Sequence, residues 1–417
     1  MESKKNSNIL IAFFWPFGGL VSALRNWHQP WAMNVFWIVC IYMGAIHIFQ
    51  LEGVVLEMGA DGGRYAMRLI EMHNSYRNLF EQISYDFIYN GSMDYYQLIV
   101  TWLVSLLTDN AHVLFGCFAF VFGFFYSRNI WYVLNKIDIV KGKAMYVFVV
   151  LLFLACPIWQ INGVRMWTAV HIFVYAILPY IMNGEKKNLK WLIVVPFVHF
   201  SLLYITTLSL VYVLFPKRIA SGNFLFRRVL LIIFILSMVI KSLNIGTVAI
   251  YLKQVSPESY EDRIELYTAD HVMDNVKEGK SNVNWYVTAS SDICFWATNI
   301  LLLLCAIDKR RNRGKDYMLY YCLALSALAN IASQIPSGGR FITIAHLFSF
   351  AYILWRLSLF DNSLFRKMAN IVVYPLLITI LFSIRIGLDY YGVSLLLGNF
   401  ITSIFWDNNV PIINLIK

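Results

Sequence analysis

Charge is what this chain has least of. Asp, Glu, Lys and Arg together make up 14% of its 417 residues, against roughly a quarter in an ordinary soluble domain. A shortage of that size excludes a soluble enzyme with a normal hydrated surface. Ligand signatures are missing too. No Gly-rich phosphate loop, dinucleotide fingerprint, zinc-ligand spacing or Gly-x-Ser-x-Gly elbow occurs. The six cysteines, Cys40, Cys117, Cys156, Cys294, Cys305 and Cys322, all lie in apolar runs without metal-ligand spacing. They read as small apolar fillers. The sequence therefore calls for no cofactor and no metal.

What is present is hydrophobic: 59% of the residues, gathered in runs. Residues 35–49, 144–161, 166–182, 293–307, 317–334, 341–354 and 368–383 carry no charge. Shorter or interrupted runs lie at 98–107, 111–126, 191–215 and 229–240. Runs approaching twenty apolar residues are long enough to cross a bilayer. In hydrocarbon, backbone polar groups must pair internally, which makes them helices. The expected fold is all-α, a polytopic transmembrane helical bundle of about ten to twelve membrane segments, some broken or re-entrant. The even spread of the runs predicts one integral membrane domain over residues 1–417, without internal repeats. At the N-terminus, Lys4 and Lys5 precede an apolar stretch that Pro16, Gly18 and Gly19 interrupt. That reads as an uncleaved interfacial or re-entrant segment rather than a signal peptide.

The formal charge of +10 does not point to nucleic acid. The bases cluster in short loops between spans, the pattern that sets membrane orientation. Lys186-Lys187, Lys217-Arg218, Arg227-Arg228 and Lys309-Arg310-Arg311 mark inner-face loops. The long segments near 50–94 and 244–282 read as outer-face loops. The apolar stretch between Lys190 and Lys217 has basic residues at both ends, yet is too short for two full spans. Two shortened helices meeting near Pro196 to Ser201 are expected. Thr108-Asp109-Asn110 interrupts another run and predicts a broken helix.

Unusual polar residues then collect on one face. They are Asp61, Arg64 and Tyr65 in the first outer loop, and Asn162-Gly163-Val164-Arg165 at a turn. His199 and Ser201 join them at the re-entrant point, as do Arg263 and Tyr267 in the second loop, Ser337-Gly338-Gly339-Arg340 at another turn, and Arg385. Charges at span ends are costly and are functional candidates by default. Two turns share a plan. Asn162 is placed to cap the helix beginning at Val164, and Ser337 the helix beginning at Arg340. An arginine in a first turn opposes the helix dipole. It makes sense beside an anion on which amides and guanidinium converge. Gly339 leaves room for close approach to a ligand. The plain alternatives are that Arg165 and Arg340 snorkel to lipid phosphates, that Asp61 pairs with Arg64, and that His199 is a satisfied core histidine. His47 and His171, alone in apolar spans, read as core.

At these residues the chain resembles the EpsG family of polysaccharide polymerases, Wzy-like proteins of bacterial exopolysaccharide, capsule and O-antigen assembly. The resembling pieces are Asp61-Gly62-Gly63-Arg64-Tyr65, then Leu107-Thr108-Asp109-Asn110 before Phe124-Phe125-Tyr126-Ser127-Arg128. They continue with Ile161-Asn162-Gly163-Val164-Arg165-Met166-Trp167-Thr168-Ala169, His199-Phe200-Ser201 and Gly339-Arg340-Phe341. The resemblance implies glycosyl transfer from an undecaprenyl-pyrophosphate-linked oligosaccharide to a lipid-linked acceptor, at the outer face of the bacterial cytoplasmic (inner) membrane. By analogy it also implies a fold like that of glycosyltransferases using lipid-linked sugars. The expected partners are that lipid-linked oligosaccharide, membrane lipid and other polysaccharide assembly proteins. On this reading Arg64, Tyr65, Asn162, Arg165, Ser337, Gly339 and Arg340 bind substrate. Asp61 or His199 is the base, with Asp61 slightly favoured because its loop could close over the cavity. The rival classes are a flippase for lipid-linked oligosaccharides, expected to show two similar halves, and a membrane acyltransferase acting on glycans.

Overall fold

The computed structural model describes residues 2–49, 61–75, 78–90, 94–215, 224–243, 284–308, 316–334, 338–359, 364–405 and 410–416. All its regular elements are helices, joined by one isolated bridge between Gly392 and Pro411. The expected all-α class holds. Among the described residues, five helical stretches are long and apolar enough to cross a membrane: Ala111–Asn135, Lys143–Asn183, Trp285–Ile307, Gly339–Ser358 and Leu364–Tyr390. Shorter apolar helices occupy Ala32–Ala45, Leu189–Val198, Phe200–Leu214 and Tyr317–Ala332.

The chain divides into two compact units, each made of separated stretches. The first comprises Met1–Lys136, Cys156–Thr207 and Ser383–Lys417. It opens with α1 (Glu2–Phe14) and α2 (Pro16–Arg25), broken at Trp15 where Pro16 takes the first helical position. Then come α3 (Ala32–Ala45), α4 (Asp61–Ser75), α5 (Leu79–Asn90), α6 (Tyr95–Ser105) and α7 (Ala111–Asn135). Residues 50–94, expected as a loop, thus hold two helices. The amphipathic α4 buries Gly62, Gly63, Tyr65, Ala66, Leu69 and Met72. The break expected at Thr108-Asp109-Asn110 is present. Asn110 caps α7, its side chain accepting the His112 amide at 2.8 Å.

Helices α3 and α7 pack closely because small residues face each other. A side chain at Gly44 would strike Ala119 and, at 2.6 Å, the Phe115 carbonyl. One at Gly123 would lie 2.6 Å from Cys40 Cβ. Small residues drive close association where lipid removes the hydrophobic incentive. Cys40 is accordingly buried filler, and all six thiols are free.

The next stretch is broken rather than continuous. After Pro157, a 3₁₀ turn at Ile158–Gly163 leads into α9 (Val164–Asn183), α8 (Lys143–Leu154) having come before. Beyond α9 the chain forms a 3₁₀ turn (Leu189–Ile193), the single turn α10 (Val195–Val198), extended backbone at His199, a 3₁₀ turn (Phe200–Leu202) and α11 (Leu203–Leu214). Its course along α9 follows from its contacts. Asn188 donates to the Tyr175 carbonyl at 3.2 Å, and Ser201 donates to Met166 Sδ at 3.8 Å. The segment therefore runs back along α9 by about 14 Å, nine residues of helix rise. The expected shortened helices are present, with His199 at the break.

The second unit comprises Ile137–Ala155 and Leu208–Phe382. It holds α8, α12 (Phe224–Leu243), α13 (Trp285–Ile307), α14 (Asp316–Ala332), α15 (Gly339–Ser358) and most of α16 (Leu364–Tyr390). Ser209 hydrogen-bonds the Tyr321 hydroxyl at 2.8 Å, and the Tyr317 hydroxyl donates to the Tyr212 carbonyl at 2.6 Å. These bonds satisfy polar groups buried among apolar helices. The second expected outer loop, with Arg263 and Tyr267, lies outside the described residues.

Candidate functional site

The first unit brings together residues scattered over more than a hundred positions, and their common partner is Asp94. This residue stands at the N-cap position of α6 but does not cap it. Its side chain turns to the break in the segment after α9. Asp94 Oδ1 accepts the Phe200 amide at 2.8 Å, and Oδ2 accepts His199 Nδ1 at 2.8 Å. The interruption at His199 explains the first bond, since a chain leaving the helical path frees an amide that needs an acceptor. Arg165, in the first turn of α9, reaches Asp94 Oδ2 at 3.3 Å and donates from Nε to the Tyr65 hydroxyl at 3.2 Å.

The electrostatics are those of a held carboxylate. Burial alone would push the Asp94 carboxyl up. The His199 hydrogen bond and its charge, the Phe200 amide and the Arg165 charge outweigh that and keep it below its ordinary value. Burial pushes the Tyr65 phenol up, so it stays a neutral hydroxyl. Because a carboxylate only accepts, His199 Nδ1 must carry the proton of that bond, so whenever the ring is neutral Nε2 is its acceptor atom. Arg165 has five N–H groups and spends two on Tyr65 and Asp94. Its side chain remains one-third exposed.

Asn162 corrects the sequence reading. It lies in the 3₁₀ turn, and Gly163 takes the N-cap position of α9 without a side-chain cap. Its Oδ1 instead accepts the Gly62 amide at 2.9 Å. A side chain at Gly62 would strike that oxygen and force it to shift, so glycine suits this contact. Asn162 thereby ties the start of α4 to the turn before α9. Asp61, the first residue of α4, pairs with Arg64 one turn along.

The remaining candidates are not joined to this cluster by any described contact. Arg385 pairs with Asp389 at 3.1 Å on its own helix. Ser337 lies outside the described residues, and the N-cap of α15 is Gly338, without a side-chain bond. Gly339 has open space where a side chain would be. Arg340 is exposed in the second unit, and no hydrogen bond or ion pair links it to a described residue. The two lone histidines are core, as expected. His171 Nε2 bonds the Cys156 carbonyl at 3.0 Å, and His47 is stacked between Phe115 and Tyr390.

Asp94 is the residue that sequence reasoning missed. The available signal was a single acid at the start of an otherwise apolar run, a place where a charge is expensive. Its pairing with His199, 105 positions away, leaves no local trace. No group of three or more metal-ligating side chains occurs among the described residues. A family model described as the EpsG family matches residues 65–395. No curated protein and no solved structure matches the chain.

Proposed function

The chain belongs to the EpsG family, a Wzy-like polysaccharide polymerase family, and on that premise we propose that the Asp94–His199–Arg165 cluster is its glycosyl-transfer site. The donor is an undecaprenyl-pyrophosphate-linked oligosaccharide and the acceptor a second lipid-linked repeat unit, met at the outer face of the cytoplasmic membrane. The observation that carries this reading is the 2.8 Å bond between Asp94 and His199 Nδ1. It orients the ring and leaves Nε2 to take a proton.

In the reaction, an acceptor hydroxyl attacks the anomeric carbon as His199 Nε2 removes its proton. The bond from that carbon to the pyrophosphate oxygen breaks, and the diphosphate leaves with the electron pair. Arg165 stabilises that developing charge with its unused N–H groups, and Tyr65 holds its guanidinium. Arg340, in the second unit, remains a candidate for binding a phosphate of lipid or substrate in its own right. This assignment favours His199 over Asp61 as the base, because Asp61 is engaged by Arg64. Membranes supplied with purified lipid-linked repeat units test it through chain length. Long polymer from the wild-type protein and single units from His199→Ala are expected. Polymer of normal length from the variant overturns the site. Transport of repeat units across the bilayer without any growth in length would instead mark a flippase.

A further inference from the structure

A cavity with several polar lining residues lies at the other end of α9, and the site described above does not use it. Its volume is about 330 Å³, and Arg128, Asn129, Tyr132, Tyr175, Lys187 and Asn188 are among its lining residues. Arg165 stands at the start of α9, whereas Tyr175, Leu178 and Pro179 border this cavity. Thirteen residues separate Arg165 from Leu178, about 20 Å of helix.

Arg128 is the central feature. Its guanidinium lies over the rings of Phe124 and Trp37, 4.0 and 4.7 Å from their centroids. Nη2 donates to Asn34 Oδ1 at 2.8 Å and Nη1 to Ser127 Oγ at 2.9 Å. All these partners are neutral, and Arg128 meets no carboxylate among the described residues. Glu185 also lines the cavity, but its carboxylate is already engaged by Lys136 at 3.0 Å and by the Tyr132 hydroxyl at 2.8 Å. The cation is thus fixed in place and electrically unanswered.

Asn129 also borders the cavity, with its amide turned into the protein. It is only 6% exposed. Its Nδ2 donates to the His171 carbonyl at 2.8 Å, while its Oδ1 has no hydrogen-bond partner. A buried amide oxygen without a donor is costly. An occupant that fits this lining needs an anion for Arg128 and hydroxyl groups for the acceptor oxygens of Asn135 and Glu185, which also border the cavity. We infer that this cavity binds a phosphate ester carrying free hydroxyls, of the glycerophosphate type. Lys136, Lys186, Lys187 and Lys190 follow the ends of α7 and α9. Basic clusters of this kind attract anionic leaflet lipids, which makes a phosphatidylglycerol headgroup the preferred source and a soluble polyol phosphate the other.

The test uses the purified full-length protein in detergent and counts bound ligand by native mass spectrometry. Short-chain phosphatidylglycerol, phosphatidylcholine and glycerol 3-phosphate are titrated separately. Saturable one-to-one binding of phosphatidylglycerol, no such binding of phosphatidylcholine, and a loss of at least about tenfold in Arg128→Gln are expected. Arg128→Lys should recover only part of that affinity. Binding of glycerol 3-phosphate with the same dependence on Arg128 supports the chemistry and identifies a soluble source. Failure of both ligands, or binding unchanged in Arg128→Gln, overturns the inference. Should Arg128→Gln not accumulate, Asn135→Leu combined with Lys187→Ala at the exposed rim carries the test, and binding unchanged there also overturns it.

Discussion

Two arginines with the same local design end in different surroundings. Arg165 and Arg340 each occupy the first turn of a long apolar helix, behind a turn containing glycine. Arg165 is anchored by Tyr65 and Asp94, and through Asp94 it shares a carboxylate with His199. Arg340 stands exposed with no described partner. The lesson is that a helix-start arginine does not make a site by itself. What distinguishes Arg165 is an acid delivered from another helix and a broken chain that brings up an imidazole.

The largest effect should come from breaking what the anchored arginine shares. His199→Ala should slow polymerisation by about 10²–10⁴, the span of a lost general base, with donor binding retained. Asp94→Asn should fall within the same range, since the amide brings no charge and its NH2 group can hold the ring in the wrong tautomer. Chain-length analysis of initial rates, alongside retention of lipid-linked donor, measures both. Normal rates in both variants remove the dyad from the mechanism.

The comparison of the arginines follows directly. Lysine keeps the charge but loses the planar fork. At Arg165 the fork is already divided between Tyr65 and Asp94, so Arg165→Lys should cost about 3–4 kcal/mol of transition-state stabilisation, or 10²–10³ in rate. At Arg340 no described geometry depends on the fork, and Arg340→Lys should cost about tenfold or less, as for an exposed charge. Equal and large losses at both positions would show that the open arginine is gripped by substrate after all. Equal and negligible losses would return both to lipid snorkelling.

A smaller effect tests how the cluster is assembled. Gly62→Ala gains up to about 1 kcal/mol of helix propensity, but its methyl group must displace Asn162 Oδ1. Overpacking of this kind costs about 1–3 kcal/mol, so a net loss of stability is expected. The unfolding midpoint of the detergent-solubilised protein should fall. A rise would show that the tie between α4 and the turn before α9 is loose.

Much of the fold was legible because bilayer physics leaves few choices. Runs without charge became helices, and the interruptions at Thr108-Asp109-Asn110 and at His199 became breaks. The candidate site was less legible, because its contacts join distant parts of the sequence. Asn162 read as a cap because capping is a local rule, whereas in the structure its oxygen goes to Gly62, 100 residues away. Asp94 went unnoticed among the mixed charges of its segment, since nothing local pairs it with His199. Asp61 and Arg64 behave as their one-turn spacing suggests. Local pairs can be read from spacing, but partnerships across the fold cannot.

Acid provides the finest test of the same contrast, because only the anchored arginine has a carboxylate to lose. Asp94 is held below its ordinary value in the folded protein. A depressed carboxyl stabilises the fold fully above the unfolded-state value, near 3.8, and that stabilisation drains away as pH falls through the folded value. Other carboxylates titrate over the same range, so the useful quantity is the difference between wild type and Asp94→Asn. Near neutral pH the wild type should unfold at the higher temperature. Below about pH 4 the gap should narrow as Asp94 takes up its proton. Raising the pH from 7 to 9 should leave the gap unchanged on account of Asp94, which is already ionised. A gap that stays constant down to pH 3 would mean that His199 and Arg165 do not hold this carboxylate, and the distinction between the two arginines would lose its physical basis.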